Sequence, residues 1–140
     1  MTTSPTTRTL ADPSSLVGSS TRITHRVTDE DAATRWGNDL PVLATPVLLW
    51  LSEIAAMKVV EPTVGAGDMT VGLAHDSAHL APTPVGEEVT LSATLTGVDG
   101  RTLVFDVEAR DAEAVVLRGR HTRALIDRER FVGRLARRTG

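Results

Sequence analysis

The run VLLWLSEIAAMKVV, from Val47 to Val60, restricts the possible folds more than any other part of this chain. Thr45 reads as a helix N-cap and Pro46 as the first helical residue, where a missing N–H costs nothing. The stop is marked by Pro62 and by Gly65-Ala66-Gly67. Nearly every position between is apolar, the pattern of a helix covered on all sides rather than along one stripe. No second apolar segment of comparable length exists, so whatever else the chain forms must enclose this one helix.

What surrounds it reads as strands. Thr21 to Thr28 alternates and is β-prone, while Asp29 to Leu40 holds Gly37, Asn38 and Asp39 and reads as a loop or short helical turn. After the helix, Met69 to His79 forms a strand that ends in the corner Pro82-Thr83-Pro84. Glu87 to Val98 then places Val89, Leu91, Ala93 and Leu95 on one face and Thr90, Ser92, Thr94 and Thr96 on the other. Asp99-Gly100 is a two-residue hairpin signal. Leu103, Phe105, Val107 and Ala109 face one way in the next run, and Ala114 to Ile126 is the last strand, with Gly119 a bulge or a point of close approach. From Arg128 the basic run RERFVGRLARR forms a short helix.

One helix between a first strand and an antiparallel meander is an α+β chain of the hotdog kind, a curved sheet wrapped around a central helix. Residues 1–20 are rich in Ser, Thr and Pro and read as a flexible leader; residues 21–140 form a single domain. The leader has no apolar core of a secretory signal, and no stretch is long enough to span a membrane. A net charge of −3 argues against nucleic-acid binding, which needs a basic surface. The chain has no cysteine, which excludes disulfides, thiolate metal sites and a Cys nucleophile, and which fits a cytoplasmic protein. With two Trp, two Phe and no Tyr, the core must be aliphatic.

Glu53 stands out against that helix. Its helical neighbours are Leu49, Trp50, Ala56 and Met57, so no partner lies on its own element. An unpaired buried carboxylate costs on the order of several kcal/mol unless its pKa rises or a partner arrives from elsewhere. The bland alternative is a wet edge, or an Arg supplied by the sheet or a second subunit. The functional reading is favoured, because carboxylates kept in such surroundings concentrate at active sites. His75 and His79 share one face of a strand, and a His beside a carboxylate equips a site for proton transfer. His25 and His121 have nothing local to separate them from ordinary core or edge residues.

The segments LATPVLLWLSE and HLAPTPVGEEV together resemble the fluoroacetyl-CoA thioesterase family of hotdog thioesterases. The resemblance rests on Ala44-Thr45 opening the helix, on Glu53 eight residues later, and on His79-Leu80-Ala81-Pro82-Thr83-Pro84-Val85-Gly86. Gly72, seven residues before His79, also matches. The family's late Gly-x-His-x-x-Arg-Ala is approached by Gly119-Arg120-His121-Thr122-Arg123-Ala124, with the Arg one position early. The resemblance runs from about Thr21 to Phe131.

It implies a thioester hydrolase acting on an acyl-CoA with no cofactor and no metal. Its catalytic set would be Thr45, Glu53 and His79, with Gly72 and Trp36 contacting substrate. It also implies a homodimer whose two sites each draw on both chains, with Thr45 reaching Glu53 of the partner subunit. The positive end of the central helix would receive the thioester carbonyl, and Glu53 would act as nucleophile or as general base. Trp36 is the only aromatic in the segment before the helix, where the family has its aromatic lid. A small or medium acyl group is therefore expected rather than fluoroacetyl discrimination. The rival readings are a hotdog hydratase or dehydratase acting on acyl-CoA, and a non-catalytic acyl-CoA-binding module. The arginines of the C-terminal run are candidates for coenzyme A phosphates, but a solvated helix explains them equally well.

Overall fold

A computed structural model describes residues 12–139. Five strands form one antiparallel sheet: β1 (Ser20–Arg26), β2 (Asp68–His79), β3 (Glu88–Asp99), β4 (Thr102–Arg110) and β5 (Val115–Asp127), in the spatial order β1-β3-β4-β5-β2. The long helix α1 (Thr45–Val60) carries the chain from one edge strand, β1, to the other, β2. A second helix, α2 (Arg128–Thr139), follows β5 and buries no residue. No helix among the described residues is long and apolar enough to cross a membrane.

The alternation in β3 and β4 sets which face curls over α1. Val89, Leu91, Ala93 and Leu95 are fully buried, and Leu103, Phe105, Val107 and Ala109 nearly so. The register puts Leu91 opposite Ala109, Ala93 opposite Val107 and Leu95 opposite Phe105. Leu48, Leu51, Ala55, Ala56 and Val59 of α1 join them in one aliphatic cluster. Each fully buried Leu or Val contributes roughly 1.5–3 kcal/mol, so this face dominates the fold.

Two local expectations about α1 change, and at Gly119 one of two alternatives is selected. Ala44, not Thr45, is the N-cap; Thr45 opens the helix and Pro46 follows it, so the Thr45 hydroxyl is free for another partner. The helix is not covered on all sides, because Trp50 is 54% and Met57 39% exposed. Gly119 is a close approach rather than a bulge: it pairs Ser77 on one side and Val107 on the other without a register shift. A Cβ there would collide with the Ser77 backbone and the Asp76 carbonyl. Gly119→Ala is therefore expected to destabilise the protein by roughly 1–3 kcal/mol or more, read as a lowered denaturation midpoint. The bulge on this side of the sheet lies instead in β2, between Gly72 and Ala74.

The two-residue turn joining β3 to β4 is Gly100-Arg101, one position later than the expected Asp99-Gly100, because Asp99 pairs with Thr102; Gly100 lies at φ +61°. Of the expected leader, residues 1–11 lie outside the described residues. Pro13–Leu16 form a 3-10 turn, Leu16 packs on the core, and the Gly18 N–H donates to the Leu95 carbonyl. His25 donates from Nε2 to Oδ2 of Asp31 at 2.7 Å, which places it in a structural pair that closes the loop after β1.

Candidate active site

Glu53 projects from α1 toward the side of the sheet formed by β2 and β5. Its Oε1 accepts from Nη1 of Arg123 at 2.7 Å, and its Oε2 lies 3.0 Å from Nε2 of His75. The carboxylate side chain is 32% exposed, while Arg123 is 3% exposed. The bland alternative for Glu53, an Arg from the sheet, is thus what the chain itself provides. Burial pushes the Glu53 carboxyl up, but the hydrogen bonds from His75 and Arg123 and the charge of Arg123 outweigh it. The carboxyl is held below its ordinary value and is ionised near neutral pH.

Arg123 is fixed on every side. Its Nε donates to the Thr70 hydroxyl at 3.0 Å, Nη2 to the Thr70 carbonyl at 3.1 Å, and Nη1 also reaches Nε2 of His121 at 3.1 Å. His121 donates from Nδ1 to the Ala74 carbonyl at 2.9 Å, just past the β2 register shift. Its other nitrogen is then the acceptor for Arg123. Burial, above all, lowers the pKa of His121, in keeping with a neutral ring. The His75 ring stacks on it with centroids 4.1 Å apart, and Phe105 backs it at 6.2 Å.

Gly72 faces the carboxylate. A Cβ at that position would lie 2.7 Å from Glu53 Oε1, so any side chain there displaces the carboxylate. Thr45 and His79 form a separate pair, with the hydroxyl 2.7 Å from Nδ1. Burial lowers the His79 pKa, keeping the imidazole neutral. Its Nε2 is buried with no hydrogen-bond partner among the described residues. Trp36 ends a 3-10 turn, Ala33–Trp36, and is 58% exposed.

The expected catalytic set therefore falls into two groups within one chain. Glu53 follows Thr45 by eight helical residues, about 12 Å along the axis. His79 follows His75 by four strand residues, about 13 Å. The two rises match, so α1 and β2 make one contact at each end, Thr45 with His79 and Glu53 with His75. One thioester carbonyl is too small to touch both pairs of the same chain.

His75, His121 and Arg123 are the residues that sequence reasoning passed over as site members. A signal was present: His121 and Arg123 fall on the same face of β5 as the buried Leu117, and an Arg turned toward an aliphatic core needs an anion as much as Glu53 needs a cation. Single atoms of Glu53, His75 and His121 also lie within 4.8 Å of one another, as metal ligands would. Arg123 Nη1 bonds both Glu53 and His121, however, so positive charge already occupies the middle of the group.

A single long helix laid across a five-stranded antiparallel sheet is the architecture of the hotdog-fold thioesterase superfamily. The chain superposes on a hot-dog-like protein from Thermanaerovibrio acidaminovorans with a TM-score of 0.86 at 25% identity, covering 93% of this chain and 98% of that one. With a solved fluoroacetyl-CoA thioesterase, FlK, the TM-score is 0.83 at 28% identity, covering 89% and 97%. The fluoroacetyl-CoA thioesterase of Streptantibioticus cattleyicolor is 35% identical over 98 residues, 70% of each chain. The pattern of the fluoroacetyl-CoA-specific thioesterase family (FlK) matches residues 27–129. The chain belongs to that family.

Proposed function

We propose that the protein hydrolyses a small or medium acyl-CoA thioester to the free acid and coenzyme A, using Thr45, Glu53 and His79. The observation that carries this reading is the ionised Glu53 carboxylate, held at both oxygens on the central helix of a thioesterase-family chain. The carboxylate acts on the thioester carbonyl, directly as nucleophile or by taking the proton of the attacking water. The Thr45 hydroxyl and the positive end of α1 stabilise the carbonyl oxygen as it gains charge. His79, neutral and hydrogen-bonded to Thr45, donates Nδ1–H to that hydroxyl and so turns the hydroxyl hydrogen toward the carbonyl, while the departing thiolate takes up the proton that the attacking water gives to Glu53.

The separation of the two pairs supports a homodimer in which Thr45 and His79 of one copy face Glu53 of the other. Further support comes from the same two elements. Trp50 and Met57 on α1, and Leu73 and Leu80 on or just after β2, are all large apolar residues more than a third exposed. β2 is moreover an end strand, with one backbone edge open for pairing. A cytoplasmic location fits the absence of cysteine.

Trp36 is the one aromatic before α1 and stands in solvent, which favours an unspecialised acyl pocket over one built for fluorine. Acetyl-, fluoroacetyl-, butyryl- and octanoyl-CoA assayed for free thiol test the function. Thiol release from at least one short or medium chain is expected. Tight binding without release from any member would instead assign a binding module, and water addition to an enoyl-CoA would assign a hydratase.

A further inference from the structure

His75 is half-buried against Glu53 yet has no place in the set of residues proposed above. Arg123 holds only Oε1 of Glu53, and Gly72 puts no side chain beside that oxygen. A carboxylate tied at one oxygen still turns about its terminal torsion, whose wells are broad. The second tie comes from His75, 3.0 Å from Oε2.

We infer that His75 is the positioning residue of this active site, donating Nε2–H to Oε2 of Glu53 so that the carboxylate keeps one plane toward the substrate. The inference rests on the reading of Glu53 as the reacting carboxylate. Two further observations support it. The other ring nitrogen, Nδ1, is buried without a partner among the described residues, so the ring hydrogen belongs on Nε2, where an acceptor waits. The ring is also held: it lies against His121 at 4.1 Å with 16° between planes, and His121 is itself anchored by the Ala74 carbonyl and Arg123. β2 thus carries two histidines with separate tasks, His79 for the Thr45 hydroxyl and His75 for the carboxylate. Among the described residues, the groups facing Glu53 are His75 from β2 and His121 and Arg123 from β5, and of these His75 and Arg123 touch its oxygens.

The test measures pH profiles of kcat and KM on the full chain for wild type, His75→Phe, His75→Gln and Glu53→Gln. Phe keeps the stack on His121 and removes the donor; Gln removes the ring and restores an N–H donor. His75→Phe is expected to lower kcat about tenfold, the worth of one charge-assisted hydrogen bond, with KM within about twofold. Its acid limb should rise by about one pH unit, because the carboxylate has lost a donor. His75→Gln is expected to move the limb back toward wild type and to recover part of kcat. The same order of shifts should appear without substrate in a 13C titration of the Glu53 carboxyl.

Equal losses in both variants with the limb unmoved would reduce His75 to packing and overturn the inference. If His75→Phe does not fold, His75→Gln decides: a limb near wild type upholds the inference, and a limb shifted upward refutes it. Turnover surviving in Glu53→Gln would sink the role of Glu53 instead, and the carboxyl titration would still judge the His75 bond.

Discussion

Glu53→Gln is expected to lose roughly 10²–10⁴-fold in kcat while remaining folded. Glutamine has the same size and keeps a carbonyl oxygen for Arg123, but it can neither attack a thioester nor take a proton from water. The fold weakens as well, because Arg123 is 3% exposed and loses its counter-charge. A cost of about 1–3 kcal/mol follows, tempered by the two Thr70 acceptors and His121 that remain. The pH dependence gives the sign. The Glu53 carboxyl is depressed in the folded protein, so its contribution is present above the ordinary carboxylate range and is lost as pH falls through the folded value. The stability gap between wild type and Glu53→Gln should therefore be widest near neutral pH and close in acid. A gap that does not change with pH would show that the Arg123 pair contributes nothing, and full turnover would remove Glu53 from the chemistry.

Mixing two inactive variants should restore activity. In the proposed dimer a site takes His79 from one chain and Glu53 from the other. A heterodimer of His79→Ala and Glu53→Gln then holds one site with both residues intact and one with neither. Random exchange makes half of the dimers mixed, so the mixture should recover about a quarter of wild-type turnover. Thermal or denaturant-assisted exchange followed by a thiol-release assay reads this directly, and size-exclusion chromatography reports the dimer. Recovery absent after proven exchange would place each site within one chain, against the roughly 12–13 Å that separates its two halves.

Much of this molecule was legible from adjacent residues. The two-residue alternation of β3 and β4 located the buried face, and Asp99-Gly100 located their turn to within one residue. The helix was also legible, but its cap was not. Thr45 has the chemistry of an N-cap, yet its hydroxyl binds His79 because the neighbouring strand arrives within reach. The open side of α1 has no local signal, and a glycine within β5 signalled a bulge or a close approach at Gly119 without choosing between them. One depends on how far the sheet curls, the other on which strand lies beside β5.

The helix made it certain that Glu53 would need a partner, and its sequence neighbours made it certain that none was local. Which partner arrived was a tertiary matter. Arg123 is 70 residues away and reaches Glu53 only because β5 takes its place between β4 and the edge strand β2. The family resemblance likewise selected His79 over His75 for the proposed catalytic set, but it could not place His75 against the carboxylate. That contact follows from the equal lengths of eight helical and four extended residues, once α1 lies along β2. Periodicity is set residue by residue, so the sequence alone determined the elements, their buried faces and the demand that Glu53 makes. Strand order and helix crossing are set by burial across the whole sheet, and they alone decided that Arg123 and His75 would meet it.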